Sequence, residues 1–365
     1  MRIELTQQSG LEVDRLSAAD MTPAMAAQYL SASIHIRGFW EMLRRYAPVG
    51  DLRDRVIRAV SGPEDDLKSV ARRVRNWEQG KNTPTSREDL FRIAFALGLD
   101  EEQTSGLLGL CTDYGIHYRN GRELTYAYCL RRGLTYGQAV SLYASLPDPE
   151  RSAPSARETG AFQDTRQIVS AFAYVADDVE FARLYETYLD AFGTMHRRAW
   201  DYFDRFFRVL TAPEDGEERY SIEKAVQTYL TLHMPSGSRR QEYSVVQRML
   251  KQGWPNATKL KNICAHREDV PRKLLLLLYI ITENVVDDAY DELDENYLSP
   301  EELFEEHWWR INLMLQDCGM PTLDPRNAYD WLVLYSLNSA LRQDEAMGEQ
   351  MEAVIAAMFP EGEST

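Results

Sequence analysis

The stretch that decides the fold spans residues 67–84, which read LKSVARRVRNWEQGKNTP. Four apolar side chains in it are separated by three, four and three residues: Leu67, Val70, Val74 and Trp77. At 100° per residue, this spacing places all four on one side of an α-helix. Gly80 and Pro84 follow, and these residue types commonly end a helix. The stretch therefore predicts an amphipathic helix that buries the four apolar side chains and stops near Gly80.

The opposite side of this predicted helix is polar and basic. Its side chains, with one lysine just beyond the helix, are Lys68, Ser69, Arg72, Arg73, Arg75, Asn76, Gln79 and Lys81. Arginine can donate two hydrogen bonds to one guanine, and asparagine can form hydrogen bonds with adenine. Other cationic side chains can bind phosphates. We therefore predict that these eight residues contact DNA, with Arg72 exposed at the centre of the face. The alternative is a solvated basic face on a module that is kept for its packing.

A second helix is predicted directly after this stop. Residues 85–88 offer a capping box, in which the Thr85 hydroxyl accepts a backbone hydrogen bond and Glu88 reaches back. Apolar side chains then recur at helical spacing: Leu90, Ile93, Ala94 and Leu97. The order of helix, glycine stop and capped helix predicts a small helical module.

Residues 74–84 and 90–99 together resemble the recognition helix and the following helix of phage-repressor-type (Cro/CI, XRE-like) helix-turn-helix regulators. Residues 118–128 are similar to the segment that trails the core in the extended bacterial form. The resemblance implies binding to double-stranded DNA and a two-fold homodimer, because such modules read two half-sites about one helical turn apart. One feature departs from the family: a glycine is expected just before Ser69, whereas Gly62 lies earlier.

The second half of the chain contains a degenerate copy of the first. The segments that recur in the same order are 74–76 with 260–262, Pro84 with Pro271, 113–115 with 317–319, and 123–130 with 330–337. We predict a duplication in which residues 221–345 match residues 35–138, apart from an acidic insertion at 283–306.

This second copy lacks the residues that make the first resemble a DNA reader. His266 stands where the first copy has its glycine stop. Lys259, Lys261 and Arg267 are therefore interpreted as surface charges. We expect the second copy to be a structural or dimerising unit.

The charge of the chain is unevenly distributed. The 365 residues carry a net charge of −16, which argues against a general nucleic-acid coat protein. Between Ile36 and Arg87, however, there are 12 Lys/Arg and only 7 Asp/Glu. One basic region in an acidic protein is the distribution expected when a single module contacts DNA.

Helical periodicity recurs along most of the chain, so the sequence predicts an all-α protein. Three prolines between residues 147 and 154 interrupt it and indicate a linker. We predict four segments: an N-terminal extension (1–35), a helix-turn-helix domain (36–145), the linker (146–160) and a helical domain (161–365) that contains the degenerate repeat.

No pattern in the sequence favours an enzyme, a metal site or a bound cofactor. The four cysteines are scattered, and the most apolar run, residues 274–281, is too short to cross a bilayer, so we expect a cytoplasmic protein without membrane contact. Residues 287–291 spell a D-D-x-x-D magnesium motif, but its partner motif is missing and a solvated acidic insertion is preferred. The acidic cluster at 301–307 lacks the Glu-x-x-His spacing of a di-iron bundle.

Two functions stay open at this point. The first is a non-enzymatic, sequence-specific bacterial transcriptional regulator, whose second half dimerises or senses an effector that the sequence does not identify. The second is a helical interaction or scaffold protein that keeps the helix-turn-helix fold without binding DNA. The local basic face favours the regulator, whereas the net charge and the missing turn glycine favour the scaffold.

Overall fold

A computed structural model of the chain describes residues 7–16, 21–48, 50–112, 114–147, 165–193, 196–212, 220–235, 243–282, 299–338 and 346–360. These residues form nineteen α-helices and no β-strand, so the predicted all-α fold is confirmed. Residues 148–160 of the predicted linker and the D-D-x-x-D segment at 287–291 lie outside the described residues.

The helices follow one another along the chain. The first nine are α1 (Gln7–Leu16), α2 (Pro23–Ala32), α3 (Phe39–Tyr46), α4 (Leu52–Val60), α5 (Leu67–Glu78), α6 (Arg87–Leu97), α7 (Glu101–Cys111), α8 (Gly121–Arg131) and α9 (Tyr136–Ser145). The other ten are α10 (Thr165–Phe172), α11 (Asp178–Thr187), α12 (Arg197–Thr211), α13 (Ile222–Ala225, continued by a π-helical turn, Val226–Leu230), α14 (Val245–Lys251), α15 (Ala257–Cys264), α16 (Arg272–Thr282), α17 (Pro300–Asp317), α18 (Ala328–Leu337) and α19 (Met347–Met358).

Contacts within the chain divide it into two compact units. The first unit comprises Arg37–Arg198 and Asp317–Pro321, and the second comprises Met1–Ile36, Ala199–Gln316 and Thr322–Thr365. This division does not follow the domain boundaries predicted from the sequence, because residues on both sides of the proline-rich segment belong to the first unit and the N-terminal residues belong to the second.

Helices α3 to α7 pack around one core in the first unit. α4 packs against α5 and α6, and α3 packs against α5 and α7. The Phe39 ring of α3 meets the Trp77 ring of α5 edge to face, with 6.0 Å between centroids. Leu90, Ile93 and Ala94 of α6 are buried, as their spacing predicts. The apolar side of α5 therefore packs into this core.

The N-terminus of α6 is capped one residue later than the sequence predicts. The Ser86 hydroxyl accepts a hydrogen bond from the backbone N–H three residues later, at 3.2 Å. The Glu88 carboxylate instead accepts hydrogen bonds from the hydroxyls of Tyr126 on α8 and Tyr136 on α9. The predicted capping box of Thr85 and Glu88 is wrong, because the Glu88 carboxylate bonds the two tyrosines and does not reach back to the start of α6.

In each unit, some helices that pack together are far apart in the sequence. In the first unit, Tyr128 of α8 stacks on Phe181 of α11 at 4.3 Å between centroids. In the second unit, α2 packs against α19, and the Tyr335 hydroxyl of α18 donates to the Met21 carbonyl at 2.9 Å. α1 and α2 therefore complete the second unit, although they precede the first in the chain.

In both copies, an arginine forms a two-bond ion pair with a buried acid on a corresponding helix. In the first copy, Arg87 at the start of α6 donates two hydrogen bonds to the Glu123 carboxylate of α8, each 2.7 Å long. In the second, Arg272 at the start of α16 donates two to the Asp330 carboxylate of α18, at 2.7 and 2.8 Å. We call these pairs the first and second arginine clamps.

The helix that carries each clamp acid begins with the same asparagine cap. The Asn120 side chain accepts from the backbone N–H groups of the second and third residues of α8, and Asn327 does the same at α18. In both cases an arginine comes just before the asparagine, Arg119 and Arg326. This Arg-Asn-x-x-acid spacing is visible in both halves of the sequence, but it is not among the segments from which the repeat was predicted.

Helix packing also corresponds between the copies. α8 packs on α9 as α18 packs on α19, α6 packs on α9 as α16 packs on α19, and α3 packs on α5 as α13 packs on α15. These shared pairs and the two clamps support the predicted duplication. A superposition of residues 221–345 on residues 35–138 stays a prediction.

Candidate nucleic-acid interface

The helix that carries the predicted DNA-contacting residues has well-defined ends. The Asp66 carboxylate caps α5 by accepting hydrogen bonds from the N–H groups of Lys68 and Ser69, both at 3.2 Å. At the other end, Gly80 adopts a left-handed conformation with φ of 65°, and the Lys81 N–H donates to the Asn76 carbonyl at 3.0 Å. A side chain at Gly80 would strain this turn, so the glycine stop is placed as predicted.

The orientation of α5 matches the sequence prediction except at its first residue. Val70, Val74 and Trp77 are buried, and Arg72 is exposed. Leu67 is 64% exposed, so the prediction that it is buried is wrong. Leu67 follows the cap residue directly, and at this position the helix has not yet reached the core formed by α3, α4 and α6.

The exposed side of α5 presents most of the predicted contact residues together. Those that are exposed are Lys68, Ser69, Arg72, Arg73, Arg75, Gln79 and Lys81, and Asn76 is half-buried. By helical geometry, four of them lie within about 60° around the helix axis and form a stripe: Lys68, Arg72, Arg75 and Gln79. We call these four residues the α5 stripe.

The cations of the α5 stripe are not neutralised by neighbouring side chains. Within the described residues, Lys68, Arg72 and Arg75 make no ion pair and no side-chain hydrogen bond, and Lys81 makes none either. Their positive charge therefore faces solvent. An uncompensated row of cations on one helix is suited to a polyanion.

Arg73 behaves differently from its neighbours on α5. Its guanidinium group donates to the Val60 carbonyl of α4 at 3.3 Å, lies 3.8 Å from the Asp89 carboxylate of α6, and sits 5.4 Å from the centre of the Trp77 ring. The structure thus does not bring Arg73 into the α5 stripe, although the sequence groups it with the contact residues.

Other charges of the first unit near the ends of α5 are paired. Arg53 of α4 and Arg44 of α3 both reach the Glu78 carboxylate at the end of α5. The connection of α4 to α5 is acidic, and Asp65 accepts a hydrogen bond from the Gly62 N–H at 2.7 Å. Within the described residues, Lys68, Arg72, Arg75 and Lys81 therefore combine exposure with the absence of an ion pair along one surface.

The corresponding helix of the second copy, α15, has the same backbone turn at its end but a different surface. His266, at the position of Gly80, has φ of 53°, and the Arg267 N–H donates to the Asn262 carbonyl at 2.8 Å. The second copy therefore keeps the helix stop, although it lacks the glycine. The His266 ring lies against Trp200 with 4.6 Å between centroids, which offsets the strain of a left-handed histidine.

Among the described residues, α15 has fewer cations without an acidic partner than α5 has. Lys261, the counterpart of Arg75, pairs with Glu223 of α13. Thr258 stands at the position of Arg72, and Trp254 at that of Lys68 lies before the helix begins. The interpretation of Lys259, Lys261 and Arg267 as surface charges is consistent with this placement.

The described residues show neither a metal cluster nor a membrane-spanning helix. They contain no group of three or more His, Cys, Asp or Glu side chains that could hold a metal ion. His307, from the acidic cluster singled out in the sequence, is buried with its ring hydrogen-bonded to the Tyr279 hydroxyl at 2.8 Å. None of the described helices is both long enough and apolar enough to span a bilayer.

Comparison of this chain with protein-family models, with curated proteins and with solved structures found no match.

Proposed function

We propose that the protein is a sequence-specific DNA-binding regulator that places α5 in the major groove. The observation that carries this proposal is the α5 stripe: Lys68, Arg72, Arg75 and Gln79 share one exposed side of a helix, and its cations have no acidic partner among the described residues. The major groove of B-DNA is wide enough to admit a helix of this kind.

The α5 stripe and the residues next to it can make the two kinds of contact that a DNA complex needs, to the bases and to the phosphates. Arg72, at the centre, can donate two hydrogen bonds to one guanine, and Asn76 beside it can bond adenine. Lys68 and Lys81, at the two ends, can hold phosphates on either side of the groove. Since the chain as a whole carries a charge of −16, affinity must come from this surface and must fall steeply with salt.

Genomic DNA fragments, titrated with the purified protein at two salt concentrations, test this proposal. We expect a sequence preference together with a salt dependence. Arg72→Ala and Arg75→Ala should each weaken specific binding by about 10–100-fold, the range of one good base contact. Lys261→Ala removes a cation from the corresponding position of the second copy and is the matched control, expected to change binding less than about twofold because that cation is already paired.

A negative result in this titration would favour the scaffold function over the regulator. Binding without sequence preference, or no binding at either salt concentration, would contradict the regulator. A protein partner captured equally by the wild type and by Arg72→Ala would then favour a scaffold that uses a different surface.

We also propose that the protein binds DNA as a homodimer, since modules that read through one helix usually occupy two half-sites. Sedimentation at micromolar concentration, with and without a selected DNA fragment, measures the stoichiometry. We expect two chains on each fragment. One chain on each specific fragment would contradict the dimer and leave the assignment of the α5 stripe intact.

A further inference from the structure

Arg73 links three helices of the first unit. From α5 its guanidinium group reaches the Val60 carbonyl of α4 and the Asp89 carboxylate of α6, and it lies over the Trp77 ring of its own helix. Its side chain is 42% exposed, so it is accessible to solvent while making all three contacts. Among the described residues, no other side chain of α5 makes a hydrogen bond or an ion pair to both α4 and α6.

The Val60 contact satisfies a group that α4 cannot satisfy itself. Val60 is the last residue of α4, and the final carbonyls of a helix have no partner within it. A cation at this end also interacts favourably with the helix dipole. Arg73 therefore acts as a C-terminal cap of α4 that is supplied by α5.

The Asp89 contact joins α5 to α6. Asp89 lies in the first turn of α6, where a carboxylate suits the helix dipole. Burial raises the pKa of the Asp89 carboxyl, and Arg73 is foremost among the cations that lower it again. The arginine thus favours the charged form of the acid that it contacts.

We infer that Arg73 is a positioning residue, which fixes the angle of α5 against α4 and α6 and does not itself contact DNA. This inference rests on the proposed function of α5. The second copy provides a contrast, because Lys259 stands at the corresponding position and makes no side-chain hydrogen bond or ion pair within the described residues. A lysine lacks the planar fork that lets one side chain meet a carbonyl, a carboxylate and an aromatic ring together.

Hydrogen exchange on the DNA-free protein tests the positioning role by itself. Arg73→Met and Asp89→Asn should each speed the exchange of the α5 amides by about tenfold, since both remove the link to α6. Arg72→Ala is the matched control on the same helix and should leave this exchange unchanged. Unchanged exchange in both Arg73→Met and Asp89→Asn would overturn the inference, whether or not the protein binds DNA.

DNA titrations of the same variants separate positioning from direct contact. If Arg73 positions α5, Arg73→Met should lower specific affinity by about tenfold with an unchanged salt slope, whereas a lost phosphate contact would reduce that slope by about 0.9. Asp89→Asn should lower specific affinity about three- to tenfold, although it removes a negative charge and simple electrostatics would predict tighter binding.

The double variant completes the test. Because Arg73 and Asp89 act through one contact, the combined variant should lose no more than about twofold beyond Arg73→Met. Arg73→Lys keeps the charge and should recover less than half of the lost specificity on a logarithmic scale. A reduced salt slope in Arg73→Met that Arg73→Lys restores fully would overturn the inference and return Arg73 to the DNA-contacting residues. If no variant and no wild-type protein binds DNA, the proposed function fails, and the exchange result still decides whether Arg73 positions α5.

Discussion

α5 and α15 end in the same backbone turn, but one presents an uncompensated row of cations and the other does not. The turn is made by Gly80 in α5 and by His266 in α15, both in the left-handed region. Among the described residues, the Arg75 guanidinium of the first copy has no partner, whereas Lys261 at the corresponding position of the second copy pairs with Glu223. The copies thus differ mainly in what their corresponding helices expose.

This difference shows which features of the module are structural. The two arginine clamps, the asparagine caps and the helix stop occur in both copies, and all of them satisfy buried or terminal polar groups. The α5 stripe occurs in one copy, and nothing in the packing of α5 requires it. A function assigned to the first copy must therefore reside in its surface.

The largest expected effect comes from breaking the clamps. Arg272→Ala should destabilise the second unit by about 3–5 kcal/mol, because it leaves the buried Asp330 carboxylate uncompensated. Arg87→Ala should cost less, since the side chain of Arg87 is 23% exposed and that of Arg272 is 10% exposed. Urea unfolding measures both variants.

The control for the clamps is Arg55→Ala, which breaks an exposed ion pair with Asp51 one turn away on the surface. Its expected cost is below about 0.5 kcal/mol. If the clamp variants were no less stable than this control, the shared buried pair would not be the framework of the two copies.

A smaller effect is expected at the two helix stops. Gly80→Ala should destabilise the first unit by about 1–2 kcal/mol, the cost of a left-handed conformation for a residue with a Cβ. His266→Ala should cost about 0.5–1.5 kcal/mol, because it loses the ring contact with Trp200 and keeps the strain. His266→Gly loses the same contact but relieves the strain, so it should be the more stable of the two variants. Thermal unfolding compares them, and equal stability of both His266 variants would show that the turn is unstrained.

The effect that is smallest at neutral pH concerns a histidine of the second unit. Burial, and then Arg310, lower the pKa of His307 in the second unit from 6.5 to about 4. Its unfolded form binds a proton more readily, so it should contribute a loss of stability as pH falls from about 6.5 to 4. His307→Gln should flatten this part of the stability profile measured by urea unfolding. An unchanged profile would show that His307 is not the group responsible.

Sequence periodicity was sufficient to predict most of α5. The spacing of Val70, Val74 and Trp77 sets which side is buried, and this places Arg72 outside whatever α5 packs against. Leu67 could not be assigned in this way, because burial at a helix end depends on where the neighbouring helices stop. The partners of Arg73 lie on two other helices, so only the packing reveals that its guanidinium is used internally.

Features that involve residues far apart in the sequence could likewise be predicted only in part. The repeated Arg-Asn-x-x-acid spacing was present in the sequence, whereas the clamp partners lie 36 and 58 residues apart and are brought together only by the fold. The stop at His266 could not be predicted from residue type, since a positive φ is uncommon for any residue other than glycine.

The assignment of α1 and α2 to the second unit has a consequence for synthesis on the ribosome. Most of the first unit, residues 37–198, emerges as one continuous stretch, whereas α1 and α2 emerge before it and pack against α18 and α19, which are translated near the end. At bacterial and eukaryotic elongation rates this interval is on the order of tens of seconds. During that time Leu16 and Leu30, which are fully buried in the finished protein, have no native partner from the C-terminal helices. The segment that carries α1 and α2 therefore exposes these apolar side chains until the C-terminal helices have been made.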